Sequence, residues 1–100
     1  MSYVDDVAEA IRARVATGNL PDADTAPLFR LYAVLALARG EAVTLEDVHD
    51  AWAAWMSGRD PEHPSLRPFD ELSDEVRRAD APYRDAIRAV ARERERRLVD

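Results

Sequence analysis

Residues 25–58 read TAPLFRLYAVLALARGEAVTLEDVHDAWAAWMSG, and this stretch decides the fold class. Its first part is apolar on nearly every side, which is typical of a central, buried helix that ends at Gly40. Its second part opens with Thr44 and Asp47 in a capping-box-like arrangement, with Asp in place of the usual Glu. Apolar residues then recur at helical spacing up to Ser57-Gly58. The stretch therefore predicts two consecutive helices.

The residues before this stretch predict one more helix. Apolar residues recur at helical spacing from Ser2 to Ala16, and Ser2 is suited to be the N-cap. The segment 17–19, Thr-Gly-Asn, is expected to end this helix. The next helix is then expected to open near Asp24 or Thr25.

The residues that follow begin with a proline-rich loop. Three prolines lie between Arg59 and Pro68, and no helix can cross that segment. We expect a short helix after it, from about Asp70 or Ser73 to Ala79.

A last helix is predicted from near Asp80 toward Leu98, with Pro82 tolerated in its first turn. No segment alternates apolar and polar residues in the manner of a strand. The chain has 100 residues, which is enough for one modest hydrophobic core and too few for two. The sequence therefore predicts a single all-α domain of about five helices, with the proline-rich loop between the third and the fourth.

Composition excludes several classes of protein. Without cysteine, the chain cannot form disulfides, thiolate nucleophiles or cysteine-ligated metal sites. Its longest apolar run, Leu31 to Ala38, is much too short to span a membrane. The N-terminal residues have neither the basic nor the apolar region of a signal peptide. We therefore expect a cytoplasmic protein that does not bind membranes.

Charge is distributed unevenly along the chain. The net charge is −6. This argues against nucleic-acid binding, since proteins that bind nucleic acids usually carry a basic face. The exception is residues 77–97, with eight arginines against four acidic residues. This stretch is typical of a solvated helix end, and the alternative is a docking surface for an acidic partner or a phosphate.

The sequence predicts no catalytic centre, metal site or cofactor. Only His49 and His63 could act as acid or base near neutral pH, and no nucleophile accompanies them in a recognisable pattern. Asp60, Glu62 and His63 lie too close together in one loop to surround a metal ion. A glycine-rich phosphate loop is absent, because Gly18, Gly40 and Gly58 are each expected to end a helix.

The two tryptophans are the most informative residues. Trp52 and Trp55 are three residues apart, so on a helix they share one face. In so small a chain both could belong to the core. The alternative is an aromatic wall on which a flat ligand stacks, next to the proline-rich loop.

A longer signature surrounds these tryptophans. Residues 48–52 read VHDAW, residues 63–72 read HPSLRPFDEL, and residues 74–80 read DEVRRAD. Together they resemble the ryanodine-receptor repeat (RyR) domain, in its short bacterial or phage form, over about residues 45–92. The receptor repeats carry an additional Gly-Trp-x-Tyr-Gly-like loop, and this chain has only residues 57–62 at that place. The absence of lysine and the many alanines and arginines would suit an actinobacterial or phage source.

The resemblance implies a helical module that is not catalytic. It also implies a ligand site, because paired receptor repeats form a pocket in which an adenine nucleotide can sit. Carried over to this sequence, it implies Trp52 as the stacking residue. Trp55 lies on the same helix face. The side chains expected near the rim of the site are His49, His63, Arg67 and Asp70.

The leading hypothesis is thus a non-enzymatic RyR-like module that binds a small ligand, with a nucleotide-like molecule as the first choice. The other hypothesis is a structural or interaction protein, for example a homo-oligomer or an accessory protein, with both tryptophans buried. In either case, we expect Leu66, Phe69 and Leu72 to pack on the third and last helices and make the loop rigid.

Overall fold

A computed structural model of the chain describes residues 3–15 and 25–99, with side chains up to residue 97. These residues form five α-helices and two short 3₁₀ turns, and no strand occurs among them. The predicted all-α class is confirmed. The helices are α1 (Tyr3–Arg14), α2 (Ala26–Arg39), α3 (Leu45–Arg59), α4 (Asp74–Arg78) and α5 (Ala81–Val99). None of the helices in the described residues has the length and apolar character needed to cross a membrane.

Helix α2 lies at the centre of the fold, in contact with α1, α3 and α5. It buries Leu28, Phe29 and Tyr32 almost completely. The expectation that it is buried on nearly every side was wrong, because Val34 is 51% exposed and Leu37 is 37% exposed. Three neighbouring helices cover only part of its circumference. The apolar residues on the remaining side therefore face solvent.

The hydrophobic core lies where α1, α2, α3 and α5 meet. The radius of gyration is 13.4 Å, close to the value of about 13 Å for a compact chain of this length. Several core side chains are at most 3% exposed: Val7, Ile11, Leu28, Phe29, Tyr32, Val43, Val48, Ile87, Val90 and Ala91. The core thus takes residues from both ends of the chain.

The connection between α2 and α3 follows the sequence prediction closely. Gly40 has a φ of +58°, a conformation that suits glycine, and its N–H donates to the carbonyl of Ala36. A 3₁₀ turn over Gly40–Ala42 follows. Thr44 then begins α3 with a complete capping box. Its hydroxyl accepts from the Asp47 N–H at 3.1 Å, and the Asp47 carboxylate accepts from the Thr44 N–H at 3.0 Å.

The end of α3 differs from the prediction. The helix continues through Ser57 and Gly58 to Arg59, and the Asp60 N–H still donates to the carbonyl of Met56 at 2.8 Å. Gly58 therefore lies within the last turn and does not end the helix. The predictions for Ser2 and for residues 16–24 lie outside the described residues.

The segment between α3 and α5 has an irregular loop followed by two short helical elements. Residues Phe69–Glu71 form a separate 3₁₀ turn, and α4 begins only after it. The Ser73 hydroxyl caps α4 by accepting from the Val76 N–H at 3.3 Å. Of the two predicted starts, Ser73 is therefore the N-cap. The carbonyl of Asp80 accepts the first hydrogen bonds of α5, as predicted for the start of that helix.

Candidate functional site

A cavity of about 340 Å³ lies where α2, α3, the proline-rich loop, α4 and the start of α5 meet. This volume is at the small end of the range of about 300–1,000 Å³ for ligand sites. Apolar, aromatic and ionisable side chains line it together: Leu28, Tyr32, His49, Trp52, Ser65, Val76, Ala79, Asp80 and Tyr83. The site is thus assembled from four helices and one loop.

Three aromatic rings form much of the cavity wall. Tyr32 on α2 and Tyr83 on α5 have ring centroids 5.6 Å apart, with the planes tilted by 42°. Trp52 on α3 stacks on His49, with centroids 5.7 Å apart and planes 29° apart. Tyr32 is buried, whereas Trp52 and Tyr83 are partly exposed. A ligand in the cavity would therefore meet indole and phenol rings that solvent can reach.

His49 joins the cavity to the loop. The residue is only 2% exposed, and its Nε2 donates to the carbonyl of Arg67 at 2.7 Å. Because a carbonyl only accepts, this contact places a proton on Nε2. His49 therefore lies beneath Trp52 and fixes the position of the loop, rather than standing free at the rim as the sequence suggested.

His63 approaches Trp52 from the loop. Its ring meets the indole edge-on, with centroids 5.0 Å apart and planes 79° apart. Its Nδ1 accepts from the backbone N–H of Ser65 at 3.0 Å. The two predicted histidines thus both touch Trp52, one on a face and one at an edge. The structure brings together these three of the six predicted site residues.

Of the described residues that line the cavity, Asp80 is the only one with a carboxylate. Burial raises the pKa of Asp80 to about 6, and the nearby positive charge of a protonated His49 opposes this shift. Burial also raises the pKa of Tyr83, to which the charge of Asp80 adds. Among the described residues, no arginine forms an ion pair with Asp80. The cavity thus holds a half-buried carboxylate without a cationic partner, apart from a protonated His49.

Of the six predicted residues, only His49 and Trp52 line the cavity, because His63 reaches Trp52 without lining it and the other three lie elsewhere. Trp55 is buried in the core at 8% exposure, and the Arg59 guanidinium lies 5.0 Å from its ring centroid. The side chain of Arg67 is exposed and borders a shallow depression on the other side of His49. Asp70 is exposed as well, and its carbonyl accepts from Arg77. Only Trp52 of the two tryptophans therefore faces the cavity.

The loop that carries Ser65 is held by several contacts. Leu72 is buried, and Phe69 and Leu66 are partly buried. The ring of Phe69 lies 6.2 Å from that of His49, and the Arg77 guanidinium lies 5.3 Å from the Phe69 centroid. Arg77 also donates to the carbonyl of Phe69 at 3.1 Å. The irregular segment is thus fastened to both α3 and α4.

Sequence reasoning missed seven of the nine lining residues, four of which carry polar side chains. Tyr32 was expected in the core, Asp80 at a helix start, and Ser65 and Tyr83 in no site. The spacing of Asp80 and Tyr83 was a usable signal, because residues three apart on a helix share a face. The contribution of Tyr32 comes from the packing of α2 against α5. No local pattern in the sequence reports that packing.

The described residues contain no group of three histidine, aspartate or glutamate side chains that could hold a metal ion. The cavity itself offers one carboxylate and one imidazole, of which the Nε2 is already bonded to a carbonyl. Its polar groups are therefore suited to hydrogen bonding and charge recognition.

A family described as domain of unknown function DUF7701 matches residues 2–92 of the chain. The chain belongs to this family. The match to DUF7701 includes α1 and α2 as well as all residues that line the cavity, so it is wider than the RyR-like signature. Searches of curated proteins and of solved structures find no match. The resemblance to RyR domains stays a prediction.

Proposed function

We propose that the protein is a non-enzymatic module that binds a small ligand in the cavity between α2, α3 and α5. One observation carries the proposal: exposed parts of Trp52 and Tyr83 face the same cavity as a half-buried carboxylate, Asp80. Ligand sites typically combine apolar or aromatic walls with a few polar groups that fix orientation. A purely structural role does not require these groups to meet around an open space.

Both histidines hold the loop through one ring nitrogen. His49 uses Nε2 for the Arg67 carbonyl, and His63 uses Nδ1 for the Ser65 amide. Their rings also contact Trp52. We propose that both are structural supports for Trp52.

A flat ring is the ligand feature that the cavity accommodates best. Trp52, Tyr32 and Tyr83 all line the cavity. A nucleobase is one such ring, in line with the RyR-like resemblance. The phosphates of a nucleotide would have to reach Arg67, which lies outside the cavity. We therefore propose that a ring-bearing ligand without a phosphate, such as a nucleoside, binds better than a nucleotide. A cytoplasmic location is part of this proposal.

The two tryptophans allow a direct test of the proposed site. The Trp55→Phe variant leaves Trp52 as the only tryptophan, and Trp52→Phe leaves Trp55. We expect a bound nucleoside to change the fluorescence of the Trp55→Phe variant and to raise its melting temperature, since a ligand that binds only the folded state stabilises it. The Trp52→Phe variant is the matched control and should show no fluorescence change. An equal change in both variants would place the ligand elsewhere.

Self-association is the second candidate, and the exposed apolar residues of α2 favour it. Val34 and Leu37 lie open to solvent on the helix that is otherwise the centre of the core. Exposed apolar patches often mark contacts with another protein. The occupant we consider is a second copy of this chain. Size-exclusion chromatography with light scattering should then give a dimer, which Val34→Asp converts to a monomer. A monomer at all concentrations would remove this candidate.

A further inference from the structure

The described lining of the cavity is acidic. Asp80 is the one carboxylate among the described residues that line it, and no arginine is among them. The chain contains no lysine anywhere, so arginine and protonated histidine are its only cationic side chains. An anionic ligand would thus meet a carboxylate and no permanent cation.

Two arginines on the surrounding elements are occupied elsewhere. Arg77 on α4 donates to the carbonyls of Phe69 and Asp70, at 3.1 and 2.6 Å. Arg84 on α5 donates to the neighbouring Asp85 at 3.1 Å. Neither arginine lines the cavity. Among the described residues, no arginine pairs with Asp80, and only His49 opposes its charge.

The cavity walls are suited to a positive charge as well. The face of an aromatic ring is electron-rich, and cations within about 6 Å of a tryptophan or tyrosine centroid are attracted to it. Tyr32 and Tyr83, with centroids 5.6 Å apart, line the cavity together with Trp52. An aromatic wall beside a carboxylate is a combination that favours ammonium groups over neutral groups of the same shape.

We propose that the ligand of this cavity is a small organic cation of the ammonium type, held by the carboxylate of Asp80 and the ring faces of Trp52 and Tyr83. The inference rests on the proposed function, that this cavity binds a small ligand, and it specifies the ligand's charge. It replaces the uncharged nucleoside named above by a cation. The small volume of about 340 Å³ fits a headgroup or a single ring better than an extended molecule.

Several titratable groups surround Asp80. His49 on α3 faces it, Tyr32 and Tyr83 adjoin it from α2 and α5, and His63 lies behind Trp52. Burial raises the pKa of Asp80 to about 6, and protonation of this carboxylate removes the attractive charge. Cation affinity should therefore fall as the pH is lowered from about 8 to about 5.

The test compares choline with 3,3-dimethylbutan-1-ol in salt-matched buffer. This alcohol is the neutral isostere of choline, with a carbon atom in place of the nitrogen. Binding is followed by Trp52 fluorescence in the Trp55→Phe variant and by the melting temperature of the unaltered protein. We expect choline to bind about tenfold more tightly than the isostere, a difference typical of a desolvated cation on aromatic faces. Asp80→Asn should reduce choline affinity about tenfold and leave the isostere unchanged. Asp85→Asn, at an exposed carboxylate on the same helix, is the control and should change neither.

The possible failures are distinguishable. Equal affinity for choline and the isostere, or choline affinity that survives Asp80→Asn in a folded protein, would overturn the cation inference but keep a small-ligand site. No response to choline at about 100 mM also overturns it, because such binding would be weaker than about −1.4 kcal/mol. If nucleosides give no response either, the proposed function fails as well.

Discussion

The core and the cavity lie next to each other and differ in packing and in the kinds of side chain that they contain. In the core, Ile11, Phe29 and Ile87 are at most 2% exposed and apolar side chains fill the space between the helices. In the cavity, a few ångströms away, aromatic rings and a carboxylate surround space that is not filled. Tyr32 belongs to both regions, since it is buried in the core and lines the cavity.

This difference shows which region is shaped by stability alone. A packed core gains free energy from each buried apolar group. A carboxylate that is half-buried beside tyrosines loses solvation, which the raised pKa of Asp80 reflects. Natural proteins keep such unfavourable groups mainly where they serve binding or catalysis. The cavity is thus the region where substitution can raise stability, and the core is where substitution can only lower it.

The largest effect is expected in the core. Phe29→Ala should lower the free energy of unfolding by about 3–5 kcal/mol, because it removes a fully buried ring. Urea denaturation followed by circular dichroism measures the change. Val34→Ala on the same helix is the matched control and should change stability by less than about 0.5 kcal/mol, because Val34 is exposed. A loss below about 1 kcal/mol for Phe29→Ala would contradict the packing described for α2.

An intermediate effect is expected at the loop that closes the cavity. The sequence alone would give Phe69→Ala the full cost of a buried ring, but Phe69 is only partly buried. We therefore expect a loss of about 2 kcal/mol, below the range for fully buried phenylalanines. This expected loss of stability includes the contribution of the contact between Phe69 and the Arg77 guanidinium. Urea denaturation measures it, and Pro68→Ala at the exposed neighbouring residue serves as the comparison. A cost under about 0.5 kcal/mol would mean that the loop is not anchored through this ring.

The sequence predicted the core better than the cavity, for a physical reason. The capping box at Thr44, the stop at Gly40 and the central place of α2 follow from local patterns, and all three are confirmed. The cavity depends on which helices pack together, and Tyr32 and Asp80 are 48 residues apart in the chain. Trp52 was predicted as the stacking residue from the resemblance to RyR domains. Asp80 was predicted only to lie near the start of the last helix.

The smallest effect is the most informative, and it concerns Asp80. Its pKa in the folded protein is raised to about 6 from an ordinary value of 3.8, so the folded state binds more protons than the unfolded state between these values. Its favourable contribution is therefore complete below about pH 4 and is lost as the pH rises through about 6. Asparagine cannot ionise and is an equally good N-cap residue for α5.

Chemical denaturation of the unaltered protein and of Asp80→Asn between pH 4 and pH 8 therefore tests directly whether the cavity holds a carboxylate at a cost to stability. At pH 8 we expect the variant to be more stable by about 1 kcal/mol, a value reduced for solvent screening at a half-buried site. At pH 4 the two proteins should be equally stable. A variant that is less stable than the unaltered protein at pH 8 would show that the Asp80 carboxylate holds the fold together, and would contradict its assignment as a group kept for binding.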